Sequence, residues 1–247
     1  MQSRLHGSGL IAAVQFLTRL PTPNVDVGLE SALVWMPLVG LVLGGILAVV
    51  DLLLRWLQVG SLLTSVLLVV LLLALTGGLH ADGLMDTCDA VFGHATPERR
   101  LEIMRDPHTG AFGVIGLVSV VLLKVAAVGG QPFGFLVLAP VIGRWVIVLA
   151  ASVFPYGRTT GLGAPLKSAA TPRTLALASV VPLVVVVVTG ATGALAAAVA
   201  ALSALAIGRW LTTLLPGLTG DCYGALCELS ETMVWLCSAI LLPHVTL

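Results

Sequence analysis

Long runs of apolar residues alternate with short polar segments along this chain. Most runs are close to the roughly 20 residues that a helix needs to cross a membrane, and the last one is shorter. The runs are continuously apolar, which is typical of spanning helices and not of barrel strands. Glycine and proline mark the turns between them. The pattern therefore predicts an all-α, polytopic integral membrane helical bundle of about seven transmembrane helices, at residues 32–54, 61–79, 111–129, 133–154, 174–190, 192–208 and 231–243.

Composition agrees with this pattern. The chain is 58% hydrophobic and only 10% charged, whereas ordinary globular domains carry about 25% charged residues. Its formal net charge is zero, and no basic patch indicates nucleic acid. The cysteines form no CxxC pair and are interpreted as apolar packing residues. The short apolar run Gly9–Leu17 lacks a cleavage site and predicts an amphipathic or half-buried helix instead of a signal peptide.

The basic residues lie mostly on one side of the predicted bundle. Segments 1–31, 80–110, 155–173 and 209–230 hold nine of the twelve lysines and arginines. The positive-inside rule places these segments in the cytoplasm. Soluble substrates are then expected to arrive from the cytoplasm.

Half of the twelve acidic residues fall between His80 and Asp106. Asp82, Asp86 and Asp89 are spaced i, i+4 and i+7, so on a helix they lie within about 60° of one another. Carboxylate oxygens favour Mg²⁺, Mn²⁺ or Ca²⁺ over zinc. The spacing therefore indicates a divalent-cation site, with a solvated polar helix face as the alternative.

The rest of this acidic segment offers further candidates. Thr96-Pro97 is typical of a helix start, and the helix is expected to run to Arg105. Arg105 could hold a phosphate, and Asp106 could add a metal ligand. His80 is a candidate phosphate donor, metal ligand or acid–base group, or an interface residue with no chemistry.

Two glycine-rich segments follow. Gly217–Glu228 carries Asp221 and Glu228 on one helical face, where they could meet the first acidic cluster; the alternative is a helix N-cap and a surface glutamate. Tyr156–Gly163 carries Arg158, with Lys167 beyond it, and suits an anion. Arg144 lies within a predicted span and is interpreted either as half of an ion pair or as a substrate contact. Together these features indicate a membrane-embedded, Mg²⁺-dependent phosphotransferase, without naming a substrate.

Five stretches carry a resemblance to a known family, and they occur in family order over nearly the whole chain. The chain resembles the cobalamin synthase family, the adenosylcobinamide-GDP ribazoletransferases. The stretches are FLTRLPTP (Phe16–Pro23), PLVGLVLG (Pro37–Gly44), TGGLHADGLMDTCDA (Thr76–Ala90), RRLEIMRDPHTGAFGV (Arg99–Val114) and LTGDCYGALCELSE (Leu218–Glu231).

The resemblance implies a single membrane-embedded cobalamin synthase domain over residues 1–247. It implies the last step of nucleotide-loop assembly in vitamin B12 biosynthesis, in which adenosylcobinamide-GDP reacts with α-ribazole or its 5′-phosphate and releases GMP. Mg²⁺ is the implied cofactor and the inner membrane the implied location, facing the cytoplasm. Membrane lipid is an expected partner; other cobalamin-assembly enzymes or a second copy of the chain are left open.

The resemblance also implies roles for individual residues. Asp82, Asp86 and Asp89 are expected to hold Mg²⁺, and His80 or Asp82 to take the hydroxyl proton. The secondary metal candidates are Asp106, Asp221 and Glu228, and the expected substrate contacts are Arg105, Arg158, Arg144 and Lys167.

Two alternative functions share some of these features. A CDP-alcohol phosphotransferase also places acidic residues on a membrane helix, but the lead Asp-x2-Asp-Gly of that family is absent. A cation transporter would place its acids near the midplane, often within inverted repeats, whereas these acids lie at span ends. Release of GMP separates the ribazoletransferase from both.

Overall fold

A computed structural model describes residues 2–25, 27–93, 95–158, 160–161 and 163–242, with side chains described from Ser8 onward. The described chain is helical, which confirms the predicted all-α class. A single parallel bridge joins Tyr156 to Leu218. Two short 3-10 turns, Leu29–Ser31 and Leu33–Trp35, precede the second helix. The helices are α1 (Gln2–Leu17), α2 (Met36–Trp56), α3 (Ser61–Thr76), α4 (Leu79–Phe92), α5 (Pro97–Ile103), α6 (Ala111–Val128), α7 (Phe133–Val153), α8 (Gly163–Ala169), α9 (Pro172–Ala178), α10 (Val180–Leu214) and α11 (Gly220–Leu241).

The described residues contain five helices long and apolar enough to cross a membrane, or six if α3 and α4 are counted as one bent span. The chain is therefore a multi-pass membrane protein, and the predicted count of about seven is approximate. The count differs from seven at two places. Helix α3 has only 16 residues, and Pro172–Leu214, predicted as the two spans 174–190 and 192–208, is one apolar stretch of 43 residues with a break at Gly190.

Gly190 breaks this long stretch. Its φ of 68° and ψ of −156° are not helical, and glycine reaches positive φ without steric cost. On one side of the break the Trp145 Nε1 donates a hydrogen bond to the Ser179 hydroxyl at 2.9 Å, and Thr189 lies beside Gly134. On the other side Gly193 lies beside Leu138, and Gly208 beside Phe154. The two halves of α10 therefore run in opposite directions along α7.

Helix α7 is the centre of the bundle. It packs against α2, α10 and α11, and most of its side chains are buried. Small residues allow this contact: a Cβ at Gly40 would lie 2.4 Å from the Pro140 carbonyl oxygen, and one at Gly44 would lie 2.6 Å from the Val137 Cα. Close helix approach at glycine is a common solution in membranes, where van der Waals packing holds helices together.

The α3–α4 turn positions the acidic cluster. Gly77 and Gly78 both adopt positive φ, and the chain bends by 91° between α3 and α4. Helix α4 then crosses the ends of α6 and α11. The span predicted at 61–79 accordingly ends at Thr76, where the two glycines break the helix.

The last helix starts earlier than predicted. The sequence places 209–230 outside the membrane and a span at 231–243, but α11 begins at Gly220 and includes Glu228 and Glu231. These carboxylates lower the hydropathy of the segment, yet both are buried and paired with cations. Residue 243 lies outside the described residues.

Two predicted short helices are present. In α1, Ala12, Ala13 and Leu17 are buried, which agrees with a half-buried N-terminal helix. In α5, the Thr96 hydroxyl accepts a hydrogen bond from the Arg99 amide, so the predicted cap is confirmed. This helix ends at Ile103, two residues before the predicted end.

Candidate active site

The site is built where α4 crosses α11. A Cβ at Gly83 would lie 2.7 Å from the Asp221 carbonyl oxygen, and one at Gly224 would lie 3.2 Å from the His80 Cα. Side chains larger than hydrogen would separate the two helices here. The close crossing brings Asp82 of α4 and Asp221 of α11 to the same pocket. The prediction that the second glycine-rich motif meets the first acidic cluster is thus confirmed for Asp221.

Two loops close the pocket from the side. The Gly157 amide donates to the Leu218 carbonyl at 2.8 Å, and the Leu218 amide donates to the Pro155 carbonyl at 2.9 Å. Gly157 and Gly217 touch backbone to backbone, since a Cβ on Gly157 would lie 2.4 Å from the Gly217 carbonyl oxygen. These bonds fix Arg158 beside α11. Thr159 and Leu162 of the same loop lie outside the described residues.

The resulting pocket has a volume of about 340 Å³. This is at the small end of ligand pockets, which measure about 300–1,000 Å³. It combines an acidic pair, a cation and aromatic rings. The residues that carry its chemistry are His80, Asp82, Tyr156, Arg158, Asp221 and Tyr223.

Arg158 and Asp221 form an ion pair in this pocket. The Arg158 Nη2 lies 3.0 Å from the Asp221 Oδ2, with both side chains mostly buried. The Thr219 hydroxyl also donates to that oxygen at 3.2 Å, and caps the start of α11 by accepting from the Cys222 amide. The pair therefore presents one cation and one carboxylate in fixed positions.

Three residues lining the pocket have buried polar atoms without a hydrogen-bond partner among the described residues. They are the His80 Nε2, the Arg158 Nε and the Tyr223 hydroxyl. Burying a polar group without a partner costs free energy. The pocket therefore brings a histidine, an arginine and a tyrosine, each with hydrogen-bonding capacity that the described residues do not fill, next to its two aspartates.

The bonding of His80 defines which nitrogen can donate. Arg144 Nη2 lies 3.5 Å from the His80 Nδ1. A guanidinium group can only donate, so Nδ1 is the acceptor, and a neutral His80 carries its proton on Nε2. The unpaired ring nitrogen of a neutral His80 is therefore a hydrogen-bond donor.

Tyr156 is a second donor on the loop side. Burial is the main influence on its hydroxyl and raises the pKa of Tyr156 above its usual value. The hydroxyl consequently stays protonated at neutral pH. Its ring lies 6.3 Å from that of Tyr223.

Carboxylates outnumber cations around Asp86. Asp86 lies within electrostatic range of Asp221, Asp82 and Asp89, against Arg158 as the opposing cation. No group of three or more histidine, cysteine, aspartate or glutamate side chains is already arranged as a metal site in the described part of the chain. Mg²⁺ usually takes only one or two protein carboxylates and completes its shell with water and phosphate oxygens. The donors present therefore fit Mg²⁺ bound together with a phosphate.

Asp89 has a structural partner. Its Oδ2 accepts from the Gly110 amide at 2.7 Å and its Oδ1 from the Gly113 amide at 2.8 Å. Both amides belong to the start of α6, where free N–H groups and the helix dipole favour a negative charge. Asp89 thus caps α6 and ties it to α4. Its assignment to Mg²⁺ stays a prediction.

Replacing Asp89 by alanine is expected to destabilise the protein by about 1–2 kcal/mol, since capping side chains contribute this much. Thermal unfolding in detergent measures the loss. The asparagine variant keeps one acceptor oxygen and should fall between alanine and the wild type. An unchanged midpoint for Asp89→Ala, together with a raised Mg²⁺ requirement, would identify Asp89 as a metal ligand instead.

Seven predicted site residues are absent from the pocket lining. Asp86, Asp89, Glu228 and Arg144 are four of them, and the other three are Asp106, Arg105 and Lys167. Asp106 is exposed, and its carboxylate is hydrogen-bonded to both the ring and the backbone amide of His108. The hydrogen bond from the backbone amide is the main cause of the lowered pKa of Asp106. Arg105 is exposed in the same loop. The Lys167 ammonium donates to the Ala151 and Phe154 carbonyls at 2.8 Å each, which satisfies the C-terminal end of α7. Their ligand roles remain predictions.

Glu228 and Arg144 belong to a buried ionic network. Lys124 Nζ lies 2.6 Å from the Glu228 Oε2 and also pairs with Glu231, which in turn pairs with Arg144. Through Arg144 the network reaches His80. Two cations and two carboxylates neutralise one another inside the bundle. This arrangement favours the ion-pair interpretation of Arg144 and turns Glu228 toward Lys124.

Sequence reasoning did not assign a role to Glu231, Lys124 or Tyr223. The first two carried a signal: a lone lysine in an apolar span must find a partner, and Glu228 and Glu231 are spaced i, i+3 on one helix face. Tyr223 gave no signal of its own, because a tyrosine beside a glycine motif is ordinary core material.

The fold and the pocket define a class: a multi-pass membrane protein whose carboxylates, arginine and unpaired donors suit an anionic, phosphate-bearing ligand. The model of the cobalamin-5-phosphate synthase family matches residues 9–239, and the chain belongs to that family. It is therefore a membrane enzyme of cobalamin biosynthesis, a transferase acting in the final assembly of the nucleotide loop.

Similar proteins span nearly the whole chain. An adenosylcobinamide-GDP ribazoletransferase of Synechococcus sp. is 41% identical over 240 residues, which is 92% of this chain and 94% of the relative. A protein of the same name from Roseiflexus sp. is 42% identical over 90% of this chain and 85% of its own length. Another from Desulforamulus reducens is 40% identical over 95% of this chain and 96% of its own length. No solved structure matches.

Proposed function

We propose that the chain joins adenosylcobinamide-GDP to α-ribazole or α-ribazole 5′-phosphate, with Mg²⁺ as cofactor. The products are adenosylcobalamin or its 5′-phosphate, and GMP. The names of the relatives supply the donor substrate. The observation that carries the proposal is the convergence of three unpaired buried donors with Asp82 and Asp221 on one pocket.

The reaction exchanges one phosphate ester for another. A ribose hydroxyl of the acceptor attacks the phosphorus that bears the cobinamide ester. A new P–O bond forms as the bond to GMP breaks, and the hydroxyl proton passes to a base. Such transfers depend on positioning and on stabilising charge on the phosphoryl oxygens.

The pocket residues divide these tasks. Asp82 and Asp221 would hold the metal, which when bound supplies charge neutralisation to the phosphate oxygens. Arg158 and Tyr223 would contact the pyrophosphate, and Arg is well suited to phosphate geometry. His80, with its proton on Nε2, is a donor to phosphate, which leaves a carboxylate such as Asp82 as the group to take the hydroxyl proton.

We further place the site at the cytoplasmic face of the inner membrane. Most residues lining the pocket belong to the four segments that hold nine of the twelve basic residues, and the positive-inside rule directs those segments to the cytoplasm. Soluble substrates would then enter from the cytoplasm.

Detergent-purified protein tests the proposal. Adenosylcobinamide-GDP and α-ribazole 5′-phosphate are expected to give equal amounts of cobalamin 5′-phosphate and GMP, separated by chromatography. EDTA should abolish both products, and excess Mg²⁺ should restore them. Products insensitive to EDTA would contradict the metal requirement, and a well-folded protein that forms neither would contradict the reaction.

A further inference from the structure

A second pocket adjoins the first. It has a volume of about 480 Å³ and is bounded by the α3–α4 turn, the start of α4, and α6. Most of its lining is apolar, from Leu73, Met85 and Leu117 among others. Asp82 and Leu79 line both pockets. The first turn of α4 therefore separates two cavities that share one carboxylate.

Arg19 is the cation of this second pocket. Its backbone amide donates to the Leu75 carbonyl at 2.7 Å, which fastens the residue to the end of α3. Its side chain lies over Gly77, where a Cβ would approach the Arg19 Nε to 2.1 Å. Gly77 also has positive φ. Glycine at this position therefore allows the turn and also leaves room for the arginine side chain. The backbone bond and the contact with Gly77 therefore place the exposed Arg19 side chain at the rim of the second pocket.

In-line displacement explains why two pockets should share Asp82. The attacking and leaving oxygens lie on opposite sides of the reacting phosphorus. A phosphorus beside Asp82 would have the leaving nucleotide in one pocket and the attacking acceptor in the other. The pocket with Arg158, His80 and Tyr223 suits the more highly charged pyrophosphate end of the donor.

Given the proposed function, we infer that the second pocket binds the acceptor and that Arg19 binds its 5′-phosphate. One phosphate and one flat apolar base match one arginine and an apolar lining. Arg19 is then a specificity-determining residue that favours α-ribazole 5′-phosphate over α-ribazole.

Steady-state kinetics with both acceptors test this inference. Arg19→Gln should lower kcat/KM for α-ribazole 5′-phosphate by about 10- to 100-fold, mainly through KM, as expected for loss of a charge-assisted hydrogen bond. Its kcat/KM for α-ribazole should stay within about threefold of the wild type. Arg19→Lys should recover part of the loss, because it keeps the charge but not the planar fork. Arg209→Gln, an exposed arginine outside both pockets, is the matched control.

Several outcomes would overturn the inference. Equal loss with both acceptors would give Arg19 a structural role, and equal loss that depends on anionic lipid in the micelle would make its ligand a lipid headgroup. No loss with either acceptor would show that Arg19 does not contribute to binding the acceptor. These results differ from failure of the proposed function, in which the wild type forms no product from either acceptor.

A filling substitution tests the pocket independently of the charge. Leu117→Trp should raise KM for both acceptors and leave KM for adenosylcobinamide-GDP unchanged. A raised KM for the donor alone would reverse the assignment of the two pockets.

Discussion

Turnover is expected to fall by about 100- to 1,000-fold when Asp82 is replaced by asparagine, the loss typical of removing one preorganised charge from an active site. Asp82 is exposed to both pockets, and the amide has nearly the same shape without the charge. The fold should therefore persist while the metal and the reacting phosphate lose a ligand. Cobalamin formation at saturating Mg²⁺ measures the effect.

Glu98→Gln is the matched control for this experiment. Glu98 is an exposed acid on the neighbouring helix α5, so its replacement removes the same charge without touching either pocket. Normal turnover by Asp82→Asn would show that another group carries the chemistry.

Replacement of Glu231 by glutamine is expected to destabilise the protein by about 3–5 kcal/mol, the cost of leaving a buried charge without its partner. Glu231 is fully buried and pairs with both Lys124 and Arg144. The amide leaves the network with one excess positive charge inside the bundle. The midpoint of thermal unfolding in detergent should drop accordingly, and yield should fall with it.

A charge-balanced double variant separates this effect from loss of packing. Lys124→Met with Glu228→Gln removes one cation and one carboxylate, and keeps the pair of Arg144 with Glu231. This variant should be more stable than Glu231→Gln. If Glu231→Gln unfolds at the wild-type temperature, the network does not require its charge balance.

The apolar runs predicted most of the fold because burial in lipid has a strong, local signature. The predicted break after residue 190 coincides with Gly190, and the cap at Thr96 follows from rules that act within one turn. The start of α11 was predicted eleven residues late for a different reason. Hydropathy counts Glu228 and Glu231 as charges, whereas their neutralisation by Lys124 and Arg144 depends on contacts distant in sequence.

The site was predicted in part. The i, i+4, i+7 spacing drew attention to Asp82, which lines the pocket, and the second glycine-rich segment was expected to bring Asp221 to the same cluster. That Asp89 caps α6 depends on where the 104–110 loop returns, which no local pattern reveals. Arg19 lies some 60 residues from Asp82 along the chain, and only the path of the N-terminal segment across the α3–α4 turn brings it to a pocket that Asp82 also lines.

Binding of Mn²⁺ measured by electron paramagnetic resonance tests the central claim most directly, since Mn²⁺ shares the oxygen ligands of Mg²⁺. In the presence of adenosylcobinamide-GDP, wild-type protein and Glu98→Gln should bind Mn²⁺ equally. Asp82→Asn and Asp221→Asn should each weaken binding by at least about tenfold. Wild-type affinity in both aspartate variants would contradict the assignment of the metal to the crossing of α4 and α11.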